Sequence, residues 1–211
     1  MEFEKWPSIP RLSKEKAVVT EKIDGSNSCI RIRPYHGIVN DSDVVLHVVV
    51  KDEPYSVWAQ SRTRFLKPDK SSDNFGFAVW VHNNASNLVD ILGNGNHYGE
   101  WWGSKIQRGY GLTNGERRFS LFNASRWQEA IDIYPDSTEV KELCTVPMLY
   151  SGSFIDMDLT SLREDLLRNG SEAMPGFKAE GMVLYLRELD ASYKILLDKD
   201  DQHKWEIANG K

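Results

Sequence analysis

The sequence predicts an α+β fold built mainly from antiparallel strands, and three observations support this class. Short segments with β-branched or alternating residues recur along the whole chain. Apolar residues at helical spacing occur in two longer segments. Neither an internal repeat nor a linker-like stretch divides the 211 residues. We therefore expect a single domain over residues 1–211.

Turn residues separate the predicted strands. Residues 18–23 have the composition of a strand that ends at the turn Asp24-Gly25, and residues 28–33 alternate in polarity. This arrangement predicts a hairpin between the two segments. Five other segments have strand-like composition: residues 44–50, whose apolar character predicts a buried strand, and residues 57–60, 119–122, 181–187 and 193–197.

Two segments have the apolar spacing of amphipathic helices. The first covers residues 73–92. The second covers residues 159–168, where four leucines recur at helical spacing and Asn169-Gly170 provides a stop signal. Residues 125–130 are predicted to begin a further, shorter helix.

Composition excludes several classes of protein. No apolar run approaches the roughly 20 residues of a membrane span, and the acidic N-terminus lacks a signal stretch. We therefore expect a cytoplasmic protein without membrane contact.

The formal net charge of −5 argues against tight nonspecific binding to nucleic acid. Cys29 and Cys144 have no zinc-motif spacing and are expected to be reduced thiols. The histidines also lack metal-ligand spacing, and only His203 near the last motif is considered an exception.

The segment Glu21-Lys22-Ile23-Asp24-Gly25-Ser26-Asn27 carries the strongest chemical signal. A lysine at a strand end can become a nucleophile when its surroundings favour the neutral amine, and it can then attack an α-phosphate. The turn glycine would let the backbone approach a nucleotide closely. Taken alone, the tetrapeptide Lys-x-Asp-Gly is better explained by a surface turn with a charged tip, because short motifs recur by chance.

Five other segments follow in order along the chain. They are Ser61-Arg62, the run from Tyr98 to Gly103 around Glu100, the aromatic run from Phe119 to Asn123, the strand start at Glu180, and the late strand that contains Lys194. Glu100 suggests a site because an acid stands there among aromatic residues and glycines. Taken alone, Arg62 is better explained as a solvated or ion-paired arginine and Phe122 as a core residue. Lys194 alone fits a strand-edge lysine and a phosphate ligand equally well.

This ordered set, which covers roughly residues 20–205, resembles the covalent nucleotidyltransferase superfamily of polynucleotide ligases and mRNA capping enzymes. Within it, the segment around Lys22 is most similar to ATP-dependent RNA ligases of the nick-sealing phage type. The resemblance implies a core of two antiparallel sheets flanked by helices, an arrangement related to ATP-grasp ligases, with the nucleotide in the cleft between the sheets.

The resemblance also implies a role for each matched residue. Lys22 is the nucleophile that becomes linked to AMP, and Glu180 holds Mg²⁺ or Mn²⁺ directly or through water. The nucleotide-binding residues are Glu21 beside the purine, Asn27 near the reacting phosphates, Arg62 on the ribose or a phosphate, Glu100 on a ribose hydroxyl, Phe122 on adenine, and Lys194 on the α-phosphate. Phe119 is the second choice for the ring that stacks on adenine. The implied partner is RNA with 5′-phosphate and 3′-hydroxyl ends, such as a nicked duplex in RNA repair.

Three alternatives remain at this level. They are a minimal DNA ligase, a capping guanylyltransferase, which the Ser26-Asn27 pair disfavours, and a noncatalytic ligase-like binding module. The last is motivated by Leu196, which stands where the family usually has a second lysine. Lys199 or Lys204 would then supply that charge.

Few residues follow the last motif, so we expect either a minimal domain without an OB-fold or another C-terminal domain, or a fragment of a longer protein. We therefore expect a catalytic domain that seals RNA weakly or with an accessory RNA-binding protein. Five basic residues offset the low overall charge: Arg31, Arg33, Arg62, Arg64 and Lys67.

Overall fold

The computed structural model describes residues 2–3, 6, 9, 11–37, 41–133 and 138–197. The alternative lysines Lys199 and Lys204, and His203, lie outside these residues. The structure forms two compact units, one from the described residues of 1–22 and 148–197 and the other from Ile23–Pro147. The expectation of a single domain stays a prediction.

Eleven strands and three α-helices make up the described structure. The strands are β1 (Lys16–Lys22), β2 (Ser26–Pro34), β3 (Leu46–Val50), β4 (Glu53–Ser61), β5 (Phe65–Leu66), β6 (Gly95–Gly103), β7 (Arg117–Leu121), β8 (Leu143–Thr145), β9 (Met148–Ser153), β10 (Gly181–Leu186) and β11 (Ala191–Leu196). The helices are α1 (Phe77–Leu92), α2 (Ala124–Trp127) and α3 (Leu159–Asn169), and short 3-10 turns occupy Leu12–Lys14, Gly109–Gly111 and Phe154–Asp156. Within the described residues, no helix is both long and apolar enough to cross a membrane.

The first unit contains a four-stranded antiparallel sheet in the order β11-β10-β1-β9. Ala17 and Val19 of β1 pack with Met182 of β10 and with Leu166 of α3. Because side chains alternate along a strand, the neighbouring β1 residues Thr20 and Lys22 point to the face opposite this core.

The second unit contains a seven-stranded sheet in the order β3-β4-β2-β6-β7-β8, with β5 paired to β4. Only the β7–β8 pair is parallel. Helix α1 packs against one face of this sheet. There Phe77 and Trp80 of α1 meet Trp101 of β6 and Phe119 of β7, with ring centroids 5.2–5.7 Å apart.

The structure confirms the α+β class and its two largely antiparallel sheets, and it corrects the predicted hairpin. β1 pairs with β9 and β10, whereas β2 pairs with β4 and β6. The alternation within a strand determines which face is buried, but it does not identify the partner strand. The turn at Asp24-Gly25 therefore carries the chain from one sheet into the other.

Three further differences concern single elements. The segment predicted as a buried strand is the sheet-edge strand β3, where Val49 is 68% exposed. Helix α1 begins at Phe77, four residues later than the predicted start, because Gly76 has a left-handed φ of 78°. The Asp73 carboxylate then accepts a hydrogen bond from the Ala78 N–H at 2.7 Å. The helix predicted at residues 125–130 is limited to the single turn of α2.

Candidate active site

Lys22 and Glu180 meet at the junction of β1 and β10. Lys22 is the last residue of β1 and pairs in register with Gly181, the first residue of β10, so Glu180 arrives beside it. The Lys22 Nζ donates a hydrogen bond to Glu180 Oε2 at 2.6 Å, although 158 residues separate them. The two side chains are 28% and 16% exposed, so the pair is partly shielded from water and still accessible to a ligand.

The strand register extends this arrangement to β11. Leu196 lies opposite Gly181 and therefore stands in the same row as Lys22. Lys194 lies opposite Val183, which is opposite Thr20, so it occupies the next row on the same face. The structure thus puts Lys194, a predicted phosphate ligand, on the same sheet face as Lys22, the predicted nucleophile.

Gly181 is required by the close approach of β11. A Cβ atom at this position would lie 2.2 Å from the backbone oxygen of Ile195. The glycine therefore permits the tight β10–β11 pairing beside Lys22 and Glu180.

Glu21 points away from Lys22, toward the covered face of the same sheet. It is 1% exposed, and its carboxylate accepts hydrogen bonds from the Ser171 hydroxyl at 2.5 Å and from the N–H groups of Glu172 at 2.8 Å and Ala173 at 3.0 Å. Burial raises the pKa of Glu21, and these three donors oppose the increase. Its side chain anchors the segment that follows α3, so a purine contact from Glu21 would have to come from its backbone.

A second polar cluster forms on β2, on β6 and immediately after the end of β4. Asn27 pairs in register with Glu100, and its Nδ2 donates to Glu100 Oε2 at 2.6 Å. The guanidinium of Arg62 donates from Nη2 to Asn27 Oδ1. Glu100 is only 6% exposed. Three residues that the sequence analysis selected from distant motifs are therefore joined in one hydrogen-bonded cluster.

The two phenylalanine candidates differ in accessibility. Phe119 is fully buried in the aromatic core beside α1. Phe122 follows β7, is 41% exposed, and donates its N–H to the backbone oxygen of Tyr98 at 3.0 Å. Of the two rings, Phe122 is the one that a base can reach.

The residues that hold the turn after Lys22 were not among those predicted from the sequence. The Asp24 N–H donates to the Tyr110 hydroxyl at 2.9 Å, and Arg108 Nε donates to Asp24 Oδ2 at 3.1 Å. Tyr110 has a left-handed φ of 45°, and its ring packs edge-on against Trp102. The run Gly109-Tyr110-Gly111 was the available signal, because paired glycines mark an unusual backbone.

Gly25 has a structural role as well. A Cβ atom there would lie 2.6 Å from the backbone oxygen of Trp101. The turn therefore packs directly against the backbone of β6, in addition to any nucleotide approach that the sequence suggested.

Glu180 could hold a metal ion together with oxygen atoms from substrate phosphates and water. Among the described residues, no group of three or more His, Cys, Asp or Glu side chains could hold a metal by itself. Mg²⁺ commonly binds through one or two carboxylates, with substrate phosphates and water completing its shell. The single accessible carboxylate of Glu180 fits that mode and does not fit a closed structural metal site.

Comparison with known proteins agrees with this fold. The RNA ligase family matches residues 15–196, so the chain contains an RNA ligase-like domain and belongs to the RNA ligase family. No curated protein sequence matches the chain.

Solved structures of Naegleria gruberi RNA ligase have the same fold. A lysine-to-methionine variant with AMP and Mn matches with a TM-score of 0.52 and 16% identity, over 88% of this chain and 50% of that chain. A lysine-to-alanine variant with ATP and Mn matches with a TM-score of 0.53 and 18% identity, over 92% and 52%. An apo aspartate-to-alanine variant gives 0.54 and 17%, over 90% and 53%. This chain therefore spans about half the length of these ligases.

Proposed function

We propose that the protein is an ATP-dependent RNA ligase that forms a lysyl-AMP intermediate at Lys22. AMP then passes to the 5′-phosphate of an RNA end, and a 3′-hydroxyl displaces AMP to form the phosphodiester. Membership of the RNA ligase family supports the reaction class. Naegleria gruberi RNA ligase variants hold ATP or AMP with Mn, which supports the same cofactors here.

The contact between Lys22 and Glu180 is the observation that carries the proposal. A lysine and an acid from opposite ends of the chain meet at 2.6 Å in a partly shielded position. A purely structural pair at a surface would contribute little to stability. The resemblance of the motifs assigns the same two residues as the nucleophile and the metal-holding acid, and their contact supports that assignment.

The first chemical step transfers AMP to the amine of Lys22. The neutral amine attacks the α-phosphorus of ATP, so a P–N bond forms while the bond from that phosphorus to the bridging oxygen breaks. Pyrophosphate leaves with the bonding electrons. The amine must first lose a proton, and the Glu180 carboxylate already accepts a hydrogen bond from it. Glu180 is therefore positioned to receive that proton.

Charge neutralisation is the other requirement of phosphoryl transfer. Lys194, on the same sheet face as Lys22, would contact the α-phosphate. A divalent cation held by Glu180, directly or through water, would add positive charge at the phosphate oxygens. Leu196 occupies the row of Lys22 and cannot contribute a second charge there.

The polar cluster of the second unit would recognise the nucleoside. Glu100 accepts hydrogen bonds and suits a ribose hydroxyl, while Arg62 suits a ribose or phosphate oxygen. Asn27 connects the two side chains. The exposed ring of Phe122 offers a face on which adenine can stack.

The test is the intact mass of the protein after incubation with ATP and Mg²⁺. We expect the wild type to gain one AMP and Lys22→Ala to gain none. Lys16→Ala is the matched control, because Lys16 is an exposed lysine on the same strand. Circular dichroism checks that each variant is folded. A wild-type protein that takes up no AMP, or a folded Lys22→Ala protein that does, would overturn the proposal.

Two further arms separate the alternatives. GTP in place of ATP distinguishes a guanylyltransferase, for which GMP uptake would exceed AMP uptake. Nicked RNA, DNA and hybrid duplexes distinguish an RNA ligase from a DNA ligase. Preferred sealing of a DNA nick would contradict the proposed substrate.

A further inference from the structure

The sheet face that carries Asn27 and Glu100 continues beyond these two residues. Side chains alternate along β6, so Tyr98 and Asn96 follow Glu100 on the same face. The register places Tyr98 opposite Cys29 and Asn96 opposite Arg31 of β2. Each step of two residues advances about 7 Å, so Asn96 lies ~13 Å along the strand from Glu100.

Three side chains on this face form a connected row. Arg33 Nη2 donates to Asn96 Oδ1 at 2.7 Å, and Asn96 Nδ2 donates to the Tyr98 hydroxyl at 3.4 Å. Arg33 Nη1 also donates to the backbone oxygen of Ile32 at 2.7 Å, which fixes the guanidinium. We call Arg33, Asn96 and Tyr98 the β2–β6 row.

The exposure of Tyr98 is unusual for its position. Its ring is 54% exposed, whereas Trp101, three residues later on the α1 side of the sheet, is 2% exposed. Tyr98 also neighbours Phe122, since the Phe122 N–H donates to its backbone oxygen. Two accessible aromatic residues therefore lie side by side at the end of β7.

The basic residues Arg31 and Arg33 lie on this face, although the whole chain has a net charge of −5. The guanidinium of Arg31 lies over Trp58, with its carbon 5.7 Å from the ring centroid, and Asp41 is the acid that interacts with it. Arg33 has hydrogen bonds only to neutral oxygens, and no carboxylate within the described residues pairs with it. Its positive charge thus remains available to an anion.

We propose that the β2–β6 row binds the RNA strand next to the nucleotide-binding residues. This inference rests on the proposed ligase function and extends it to the polynucleotide. Tyr98 stacks on a base, and Arg33 contacts a backbone phosphate. An aromatic face with a fixed guanidinium is the combination by which proteins hold single-stranded nucleic acid. Because the face extends ~13 Å along the strand from Glu100 to Asn96, it offers contacts beyond those that Glu100 and Asn27 would make to AMP.

RNA fits this face better than a protein partner does. A docked protein would be expected to cover a contiguous apolar area. Here Tyr98 is accompanied by an amide and a guanidinium, which suit bases and phosphates. A second protein chain on this face is one of the outcomes that the experiment separates.

The experiment measures binding of a short fluorescein-labelled single-stranded RNA by fluorescence anisotropy across a salt series. Tyr98→Ala should weaken binding about 5- to 150-fold, the range for loss of one stacked base, whereas Tyr98→Phe should retain it. Arg33→Ala should reduce the slope of log affinity against log salt by about 0.7, as expected for one phosphate contact to a single strand. Tyr193→Ala and Arg163→Ala are the controls, because Tyr193 has the same 54% exposure and Arg163 lies on α3.

AMP uptake distinguishes failure of this inference from failure of the proposed function. Tyr98→Ala and Arg33→Ala should take up AMP at the wild-type rate, since the proposed function assigns the nucleotide to other residues. Unchanged RNA affinity in both variants would overturn the inference even if AMP uptake is normal. A loss of self-association by light scattering, without a change in RNA affinity, would also overturn it and would identify a protein interface. Absence of AMP uptake in the wild type would instead refute the ligase function.

Discussion

Replacing Glu180 with glutamine tests the chemistry of the Lys22–Glu180 pair without removing its shape. Glutamine has nearly the same volume and keeps an oxygen that can accept the hydrogen bond, now 2.6 Å long, from Lys22. The substitution removes the negative charge. It therefore removes both the proton acceptor and the carboxylate that would hold a cation.

Two magnitudes follow from this geometry. Loss of one preorganised electrostatic contact at a reacting centre commonly costs ~10²–10³ in rate. A hydrogen bond to a charged group contributes roughly 1 kcal/mol more than a neutral one. For a chain of this size, 1 kcal/mol corresponds to a decrease in Tm of about 2–4 °C. We therefore expect AMP uptake by Glu180→Gln to be ~10²–10³ slower, with only a small loss of stability.

The assay follows AMP uptake over time by intact mass at saturating ATP and Mg²⁺, together with thermal unfolding. Glu15→Gln is the matched control, because Glu15 is a buried acid of the same unit whose Oε1 accepts the Glu188 N–H at 2.9 Å. It should lose stability but not rate. Equal AMP uptake by Glu180→Gln and Glu15→Gln would refute the reasoning, as would a loss of rate fully explained by unfolding.

Three other predictions concern the surrounding structure. Burial raises the pKa of Glu21 above its ordinary value of 4.5, so the folded state binds this proton more tightly than the unfolded state. Stability should therefore fall as pH rises from 4.5 through the raised pKa, and urea unfolding should show that Glu21→Gln removes this component. Burial raises the pKa of Cys29 and of Cys144 to about 11 each, so iodoacetamide should modify neither thiol at mildly alkaline pH until the protein is unfolded. Gly181→Ala would put a Cβ 2.2 Å from the Ile195 oxygen and should destabilise the fold by about 1–3 kcal/mol, whereas an unchanged Tm would contradict the role of this glycine.

Local patterns in the sequence were sufficient to predict most elements. The leucine spacing of α3 and its stop at Gly170 are confirmed, and Asp158 caps its first turn through Ser161 N at 2.9 Å. Strands β7, β10 and β11 also lie where their composition predicted them. These elements are determined mainly by their own residues, which is why a single sequence reveals them.

Pairing between strands could not be predicted in the same way. β1 was predicted to pair with the neighbouring β2, but its partners are β9 and β10, more than a hundred residues away. The exposure of Val49 in β3 likewise depends on its position at the sheet edge. Both outcomes depend on long-range packing that a local pattern does not contain.

The candidate site shows the same contrast between what local patterns predict and what depends on long-range contacts. The motifs selected Asn27, Arg62 and Glu100, and the structure joins all three by hydrogen bonds. The motifs could not reveal that the Tyr110 hydroxyl accepts a hydrogen bond from the Asp24 N–H. This contact links positions 86 residues apart, and it depends on the left-handed backbone conformation of Tyr110. The functional roles of these residues stay predictions.

The position of the AMP adduct is the most direct test of the central claim. The wild-type protein would be incubated with ATP and Mg²⁺, digested at neutral pH to preserve the phosphoramidate, and mapped by tandem mass spectrometry. We predict AMP on the peptide that contains Lys22, at its Nζ, and on no other lysine. AMP on a different residue, or a digest without any adduct from a folded protein, would contradict the account.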